Sequence, residues 1–230
     1  MNLAGHDPGA RQPDTDAAGF VLAGGQSSRM GQDKALLLFG GRPLMAHALS
    51  ILSLAGLSVS IAGARPSARK ALEAYAPVVA DPEPGFGPLA GICAALASTS
   101  ARYAVFLPVD LPLLPPALIA FLLHHARITG RAVTFPTVSG LAETFPVVLD
   151  RAVRPALKAA LDAGNGRCLS AFEAAAASLH QPLNSVAVEL LAQSGQVTHP
   201  LGLPPIRWFL NLNTPGDVEQ AEALTVRRIA

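Results

Sequence analysis

Directly after a short apolar run, the segment Leu22-Ala23-Gly24-Gly25-Gln26-Ser27-Ser28-Arg29-Met30-Gly31-Gln32-Asp33-Lys34 brings together two adjacent glycines, a hydroxyl pair and two cations. Gly24 and Gly25 permit a sharp turn and let backbone N–H groups approach an anion that a Cβ would hold away. Arg29 and Lys34 add charge-assisted contacts to phosphate oxygens. The chemistry this combination supports is the cradling of a phosphate. It is not a P-loop, because Gln32 and Asp33 stand between Gly31 and Lys34 and Ala35 follows. Nor does a G-x-G-x-x-G begin at Gly24. A glycine pair alone would suit a surface turn with solvated cations; the whole segment favours the cradle.

Other polar residues stand where apolar runs end. Asp110 closes the most hydrophobic run of the chain, between Pro108 and Pro112. A lone carboxylate there suits Mg²⁺, which takes one or two protein oxygens and completes its octahedron with water and substrate phosphates. Asp is also a common helix cap, and the cation-rich loop tips the balance towards the metal. Asp81 ends another apolar run, a place for contact with a base or ribose as well as for capping. Asn211 and Asn213 are two apart, so in an extended segment they share a face. They would supply neutral oxygen ligands or anchor a polar substrate, with Thr214 or Asn213 capping the next helix and Asn211 turned towards the cleft. His47 falls inside a helical pattern and reads as a packing or surface residue.

These positions require strands that end on one side of a sheet. Ala17 to Ala23 reads as a buried strand, and Pro43 at a helical N1 position opens a helix that runs to Gly56. Leu57 to Ala62 is the next strand, Ser67 to Tyr75 a helix, and Pro77 to Ala80 a short strand. A helix over Leu89 to Ser98 and a strand over Tyr103 to Val109 follow, then a helix from Pro116 to Ile128. Arg131 to Pro136 and Thr144 to Leu149 read as neighbouring, antiparallel strands because so few residues separate them. Helices over Ala152 to Ala163 and Arg167 to Ala177 precede a poorly patterned stretch, His180 to Pro205, with a strand placed around Gln196 to His199. The chain closes on an apolar segment from Trp208 and a helix from about Pro215 to Leu224. The alternation predicts an α/β protein, a three-layer sandwich around a mostly parallel sheet, whose ligands bind beyond the carboxyl ends of the strands.

Composition narrows the function classes. The chain has 230 residues and a net charge of +1, with half of its residues apolar, which suits one sizeable domain. We expect a flexible tail over residues 1–16 and a single domain over 17–230. Near-neutral charge gives no case for nucleic acid or an anionic membrane. The N-terminal residues lack the basic start and apolar core of a signal peptide, and no apolar run reaches membrane-spanning length, so the expected location is cytoplasmic. Cys93 and Cys168 have no metal-binding or disulfide spacing and are expected to be buried thiols.

Taken together, LAGGQSSRMGQDKALL (Leu22 to Leu37), GRPLMAHAL (Gly41 to Leu49), GPLAGI (Gly87 to Ile92), LPVDLPLLPP (Leu107 to Pro116) and NLNTPGD (Asn211 to Asp217) resemble the molybdenum cofactor guanylyltransferase family. That family sits within the broader Rossmann-like nucleotidyltransferases, of the nucleotide-diphospho-sugar transferase type. The resemblance covers nearly the whole chain. It implies transfer of GMP from MgGTP to the terminal phosphate of molybdenum-molybdopterin, with pyrophosphate released. It implies that Leu22, Ala23, Gly24 and Gly25 hold the guanine and ribose side of GTP, Lys34 its phosphates, Asp81 the nucleoside and Asp110 the Mg²⁺. Molybdoenzyme apoproteins or their chaperones are implied as partners. Some members carry Asn where this chain has Ala62-Gly63, which removes one side-chain contact to the base. A phosphate nucleophile needs no general base, so catalysis would fall to Mg²⁺, Lys34 and Arg29. The alternatives are a cytidylyltransferase of the same cofactor or a sugar-phosphate nucleotidyltransferase and, from a different class, a non-catalytic nucleotide-binding regulator.

Overall fold

Glycine and β-branched or aromatic residues pack the first strand so tightly that two helical layers close on it from opposite sides. The computed structural model describes residues 15–23, 34–80 and 87–226. Gly24, Gly25, Arg29 and Asp81 therefore lie outside the described residues. Strand β1 (Ala17–Leu22) is followed by a short turn of 3₁₀ helix at Lys34–Leu36 and a hairpin of β2 (Leu38–Phe39) and β3 (Arg42–Pro43). Then come α1 (Leu44–Leu54), β4 (Ser58–Ala62), α2 (Pro66–Leu72), α3 (Pro88–Ser98), β5 (Tyr103–Pro108) and α4 (Pro116–Thr129). The second half runs β6 (Val133–Val138), β7 (Leu141–Ala142), β8 (Val147–Asp150), α5 (Arg154–Asp162), α6 (Cys168–Ser178), β9 (Asn184–Ala187), α7 (Val188–Gln193), α8 (Pro205–Trp208) and α9 (Pro215–Val226).

The main sheet has seven strands in the order β4-β1-β5-β8-β6-β7, with β9 pairing β6. β1 runs parallel to β4 and β5, and β6 parallel to β9. β8 is antiparallel to both β5 and β6, as the short connection requires. The α/β sandwich expected from the sequence is therefore present, with β8 and β7 as its antiparallel members. One core cluster joins Val21, Val105 and Leu107 to Leu52 of α1 and Leu122 of α4; the other joins Phe20, Phe106 and Leu149 to Ile92, Leu157 and Phe172. Alternate residues of the strands supply the two faces, as a doubly covered sheet demands. Each fully buried Leu, Ile or Phe contributes about 1.5–3 kcal/mol.

Small residues bring α3 hard against the end of β4. A Cβ on Gly91 would stand 2.8 Å from both Cα and N of Gly63. Helix propensity alone would make Gly91→Ala a gain of about 1 kcal/mol. The contact is with backbone, which cannot step aside, so we expect the opposite sign: a loss of about 1–3 kcal/mol from overpacking. Urea denaturation of the variant decides between the two signs.

Several local expectations need correction. Pro43 precedes the first helical residue as the end of β3 (φ −59°, ψ 144°) and is not at N1. The hairpin before it turns at Gly40 and Gly41, both at positive φ. The strand expected over Pro77 to Ala80 shrinks to one parallel bridge of Val78 with Ile61, because Ile61 alone bonds both the Pro77 carbonyl and the Val79 amide. No strand forms at Gln196 to His199. The Val197 amide instead bonds back to Leu191 at the end of α7, and the His199 ring turns in to the Leu113 carbonyl (2.9 Å) and stacks near Trp208. The strand of that stretch is β9, whose Asn184 amide donates to Thr134 Oγ1 at 3.0 Å. The segment after Trp208 is irregular rather than a strand. Both cysteines are buried thiols outside any disulfide, and burial, with Cys93 nearby, pushes the Cys168 thiol up to about 11.

Candidate active site

The polar cluster assembles from three segments far apart in sequence. β1 ends at Leu22, and the chain re-enters the described residues at Lys34, the first residue of the 3₁₀ turn whose Ala35 is fully buried. β5 ends at Pro108, and Asp110 follows within a run whose Val109, Leu111, Leu113 and Leu114 are all buried. The third segment is anchored by Leu212, whose side chain is fully buried and whose amide donates to the Asp110 carbonyl at 3.0 Å. Burial and that backbone bond fix the position of the next residue, Asn213.

At the centre Lys34 Nζ donates to Asp110 Oδ2 at 2.7 Å and also to Asn213 Oδ1. The side chains are 13% and 21% exposed for Lys34 and Asp110, so the pair is shielded enough for its charges to matter. The other carboxylate oxygen, Asp110 Oδ1, is buried and has no hydrogen-bond partner among the described residues. A buried carboxylate oxygen left unmet costs free energy unless something positive completes it. One oxygen held by an ammonium and one unmet is what a Mg²⁺ site with a single protein carboxylate would offer; the remaining ligands of such an ion come from water and phosphates. No cluster of three or more His, Cys, Asp or Glu suited to a metal occurs among the described residues, so an all-protein cage is not the design in that part of the chain.

Helix α9 supports this corner through its N-terminal cap. Asp217 Oδ2 accepts from the amides of Asn213 (2.8 Å) and Thr214 (2.7 Å), while Thr214 Oγ1 accepts from the Asp217 amide at 3.2 Å. This reciprocal box satisfies the orphan N–H groups of the first turn. The Asn213 amide holds the Asp217 carboxyl below its ordinary value against the opposing effect of burial, and the Thr214 hydroxyl and amide and Lys34 add to the lowering. Its pKa is depressed on folding, so the cap's contribution is complete above the usual carboxylate range and is lost as pH falls through the lowered value. Thr214 is thus the cap, and of the asparagine pair it is Asn213 that reaches the ion pair. Asn211 is exposed on the other side of buried Leu212 in the chain. The i, i+2 spacing found the pair but assigned the inward role to Asn211.

The remaining residues around the nucleotide positions are backbone. The Ala23 amide donates to the Ala62 carbonyl at 3.0 Å, and the Val109 amide to the Leu22 carbonyl at 3.4 Å. These bonds tie the ends of β1, β4 and β5 together, and they occupy two of the groups that the sequence offers to a base. Ala62 itself is fully buried. His47 packs as expected: its ring bonds the Phe39 carbonyl at 2.9 Å, and burial lowers its pKa.

Half-buried Lys34, Asp110 just past the end of β5, and Asn213, which accepts from the same ammonium, form a charge clamp at the carboxyl ends of parallel strands. A family model, the MobA-like NTP transferase domain, matches residues 19–182. The chain belongs to this family. Among its relatives, a molybdenum cofactor guanylyltransferase of Rhizobium meliloti (strain 1021) is 34% identical over 94% of each chain. One of Xanthomonas euvesicatoria pv. vesicatoria (strain 85-10) is 41% identical over 67% of this chain and 77% of its own. The crystal structure of molybdopterin-guanine dinucleotide biosynthesis protein A from Archaeoglobus fulgidus shares the fold, with a TM-score of 0.73 at 23% identity over 91% of this chain and 99% of its own. As a MobA-like NTP transferase the chain is a nucleotidyltransferase enzyme. No helix among the described residues is long and apolar enough to cross a membrane.

Proposed function

We propose that this MobA-like transferase moves GMP from MgGTP to the terminal phosphate of molybdenum-molybdopterin, giving the guanine dinucleotide cofactor and pyrophosphate. The observation that carries the reading is the Lys34–Asp110–Asn213 cluster, with its unmet Asp110 Oδ1 at the end of β5, in a chain whose relatives are named guanylyltransferases. In the reaction an oxygen of the acceptor phosphate attacks the α-phosphorus, forming one O–P bond as the bond to the leaving pyrophosphate breaks. The acceptor is already anionic, so no side chain has to remove a proton.

The chain's residues orient and neutralise. Asp110 would hold a divalent cation, which we assign as Mg²⁺, and that ion, when bound, would draw negative charge off the phosphates. Lys34 contacts the triphosphate and strengthens its contact as charge moves to pyrophosphate; Arg29 joins it from the loop. Asn213 keeps the ammonium aligned. Asp81 meets the nucleoside. With the Leu22 carbonyl and Ala23 amide engaged between strands, the Ala23 carbonyl and the amides of Gly24 and Gly25 read the guanine edge. Acceptors of the finished cofactor are molybdoenzyme apoproteins or their chaperones.

Base choice is the sharpest test. A site built to bond one base edge leaves polar groups unpaired when another base enters, at about 1–3 kcal/mol per group. Calorimetry at fixed Mg²⁺ is expected to give GTP a lower Kd than ATP, CTP or UTP. Preferential binding of CTP would replace the guanylyl assignment by a cytidylyl one.

A further inference from the structure

The opposite end of the sheet carries a basic groove that the transfer reaction does not use. β5 begins at Tyr103 and β8 ends at Asp150, and these two residues are cross-strand partners. Around that point a cavity of about 390 Å³ is lined by Ser100, Arg102, Asp150, Arg151, Arg154 and Pro155, with Ala152 between them. Asp110 lies at the other end of β5, on the order of 20 Å away along the strand.

The groove's charge is not internally cancelled. Asp150 has both oxygens committed: Oδ2 accepts from Arg102 Nε at 3.0 Å and Oδ1 from the Ala152 amide at 2.9 Å. Arg102 is held further by the ring of Tyr103, 4.9 Å from its guanidinium carbon, and its carbonyl accepts from the Arg151 amide at 2.7 Å. Among the described residues no carboxylate pairs with Arg151 or Arg154. Both are exposed. Arg151 opens a turn of 3₁₀ helix, Arg151–Val153, that runs into α5. Residues three apart share a face of such a turn, so Arg151 and Arg154 stand on the same side of it. The backbone bond between Arg102 and Arg151 brings the strand end and this turn together.

We propose that this groove binds a carboxylate-rich segment of a partner protein. Guanidinium forks recognise carboxylates in pairs of parallel hydrogen bonds. The forks of Arg151 and Arg154, beside an Arg102 already engaged by Asp150, match acidic side chains spaced along a peptide, whereas a single small anion needs donors converging on one point. The cavity is also larger than one such anion fills. Docking at this end leaves the mouth of the nucleotide site clear.

The test is fluorescence anisotropy of a labelled oligoglutamate peptide, with an oligoglutamine peptide of equal length as control. The wild type is expected to bind oligoglutamate more tightly than oligoglutamine, more weakly as salt is raised. R151E/R154E is expected to weaken binding by about tenfold or more. An equal charge change elsewhere, R65E/R69E on and before α2, is expected to leave it within about twofold. R151Q/R154Q replaces the first pair if circular dichroism shows a folding defect. Equal binding by the groove variants, equal loss in R65E/R69E, or orthophosphate binding to the groove without peptide binding would overturn the proposal. None of these readouts involves nucleotide transfer, so the outcome is separate from that of the guanylyl assignment.

Discussion

Asp110→Asn is expected to abolish nucleotidyl transfer, with turnover down by about a thousandfold or more, while the fold survives. Asparagine keeps the shape of the side chain and the Asp110 carbonyl still accepts from Leu212. What goes is the carboxylate charge, which Lys34 meets at Oδ2 and which is unmet at the buried Oδ1. Loss of the ion pair is expected to cost some stability, and relief of the unmet oxygen to offset part of it. The variant is therefore expected to stay folded and to lose the stabilisation that Mg²⁺ and GTP together give the wild type. Pyrophosphate release and thermal melting, measured side by side, check both halves. Turnover near the wild-type value at saturating Mg²⁺ and GTP would remove Asp110 from the metal.

Lys34→Ala is expected to lower kcat/KM by about 2–4 kcal/mol, roughly thirtyfold to a thousandfold, the scale of one lost electrostatic donor. The Lys34 ammonium sits at 13% exposure between a carboxylate and an amide oxygen, a position that a solvated surface lysine has no reason to take. The loss should fall on kcat as well as KM, because the charge it meets grows as pyrophosphate leaves. Steady-state kinetics on the purified variant give the division. An unchanged kcat/KM would return Lys34 to a purely structural ion pair.

How much of this was legible beforehand follows from range. The strands ending at Leu22 and Pro108 were readable because their apolar runs are uninterrupted and stop at glycine, proline or aspartate, and the parallel sheet followed from their alternation with helices. Asp110 and Lys34 were found because charge at such an ending is unusual. β9 was not found: Asn184-Ser185-Val186-Ala187 has no apolar pattern of its own, and it is a strand only because β6 and the Thr134 hydroxyl receive it. The Gln196 to His199 stretch looked extended by composition, but the Trp208 ring and the Leu113 carbonyl decide where His199 goes. Asn211 and Asn213 could not be told apart by spacing, since their roles depend on Leu212 being buried and on Asp217 capping the next helix. The arginine groove was invisible for the same reason: Arg102 and Arg151 become neighbours only through the register of β5 and β8.

The Lys34–Asp110 ion pair gives nucleotide binding the character of an exchange. Lys34 is already neutralised by Asp110, so an arriving phosphate does not find a bare cation; it must compete with a carboxylate for one. An anion that comes alone satisfies the ammonium and leaves the carboxylate without its partner. A ligand that brings a cation with its phosphates offers Asp110 a replacement at the same time. Discrimination against free phosphate is thereby set at this pair, before any contact with the base is made.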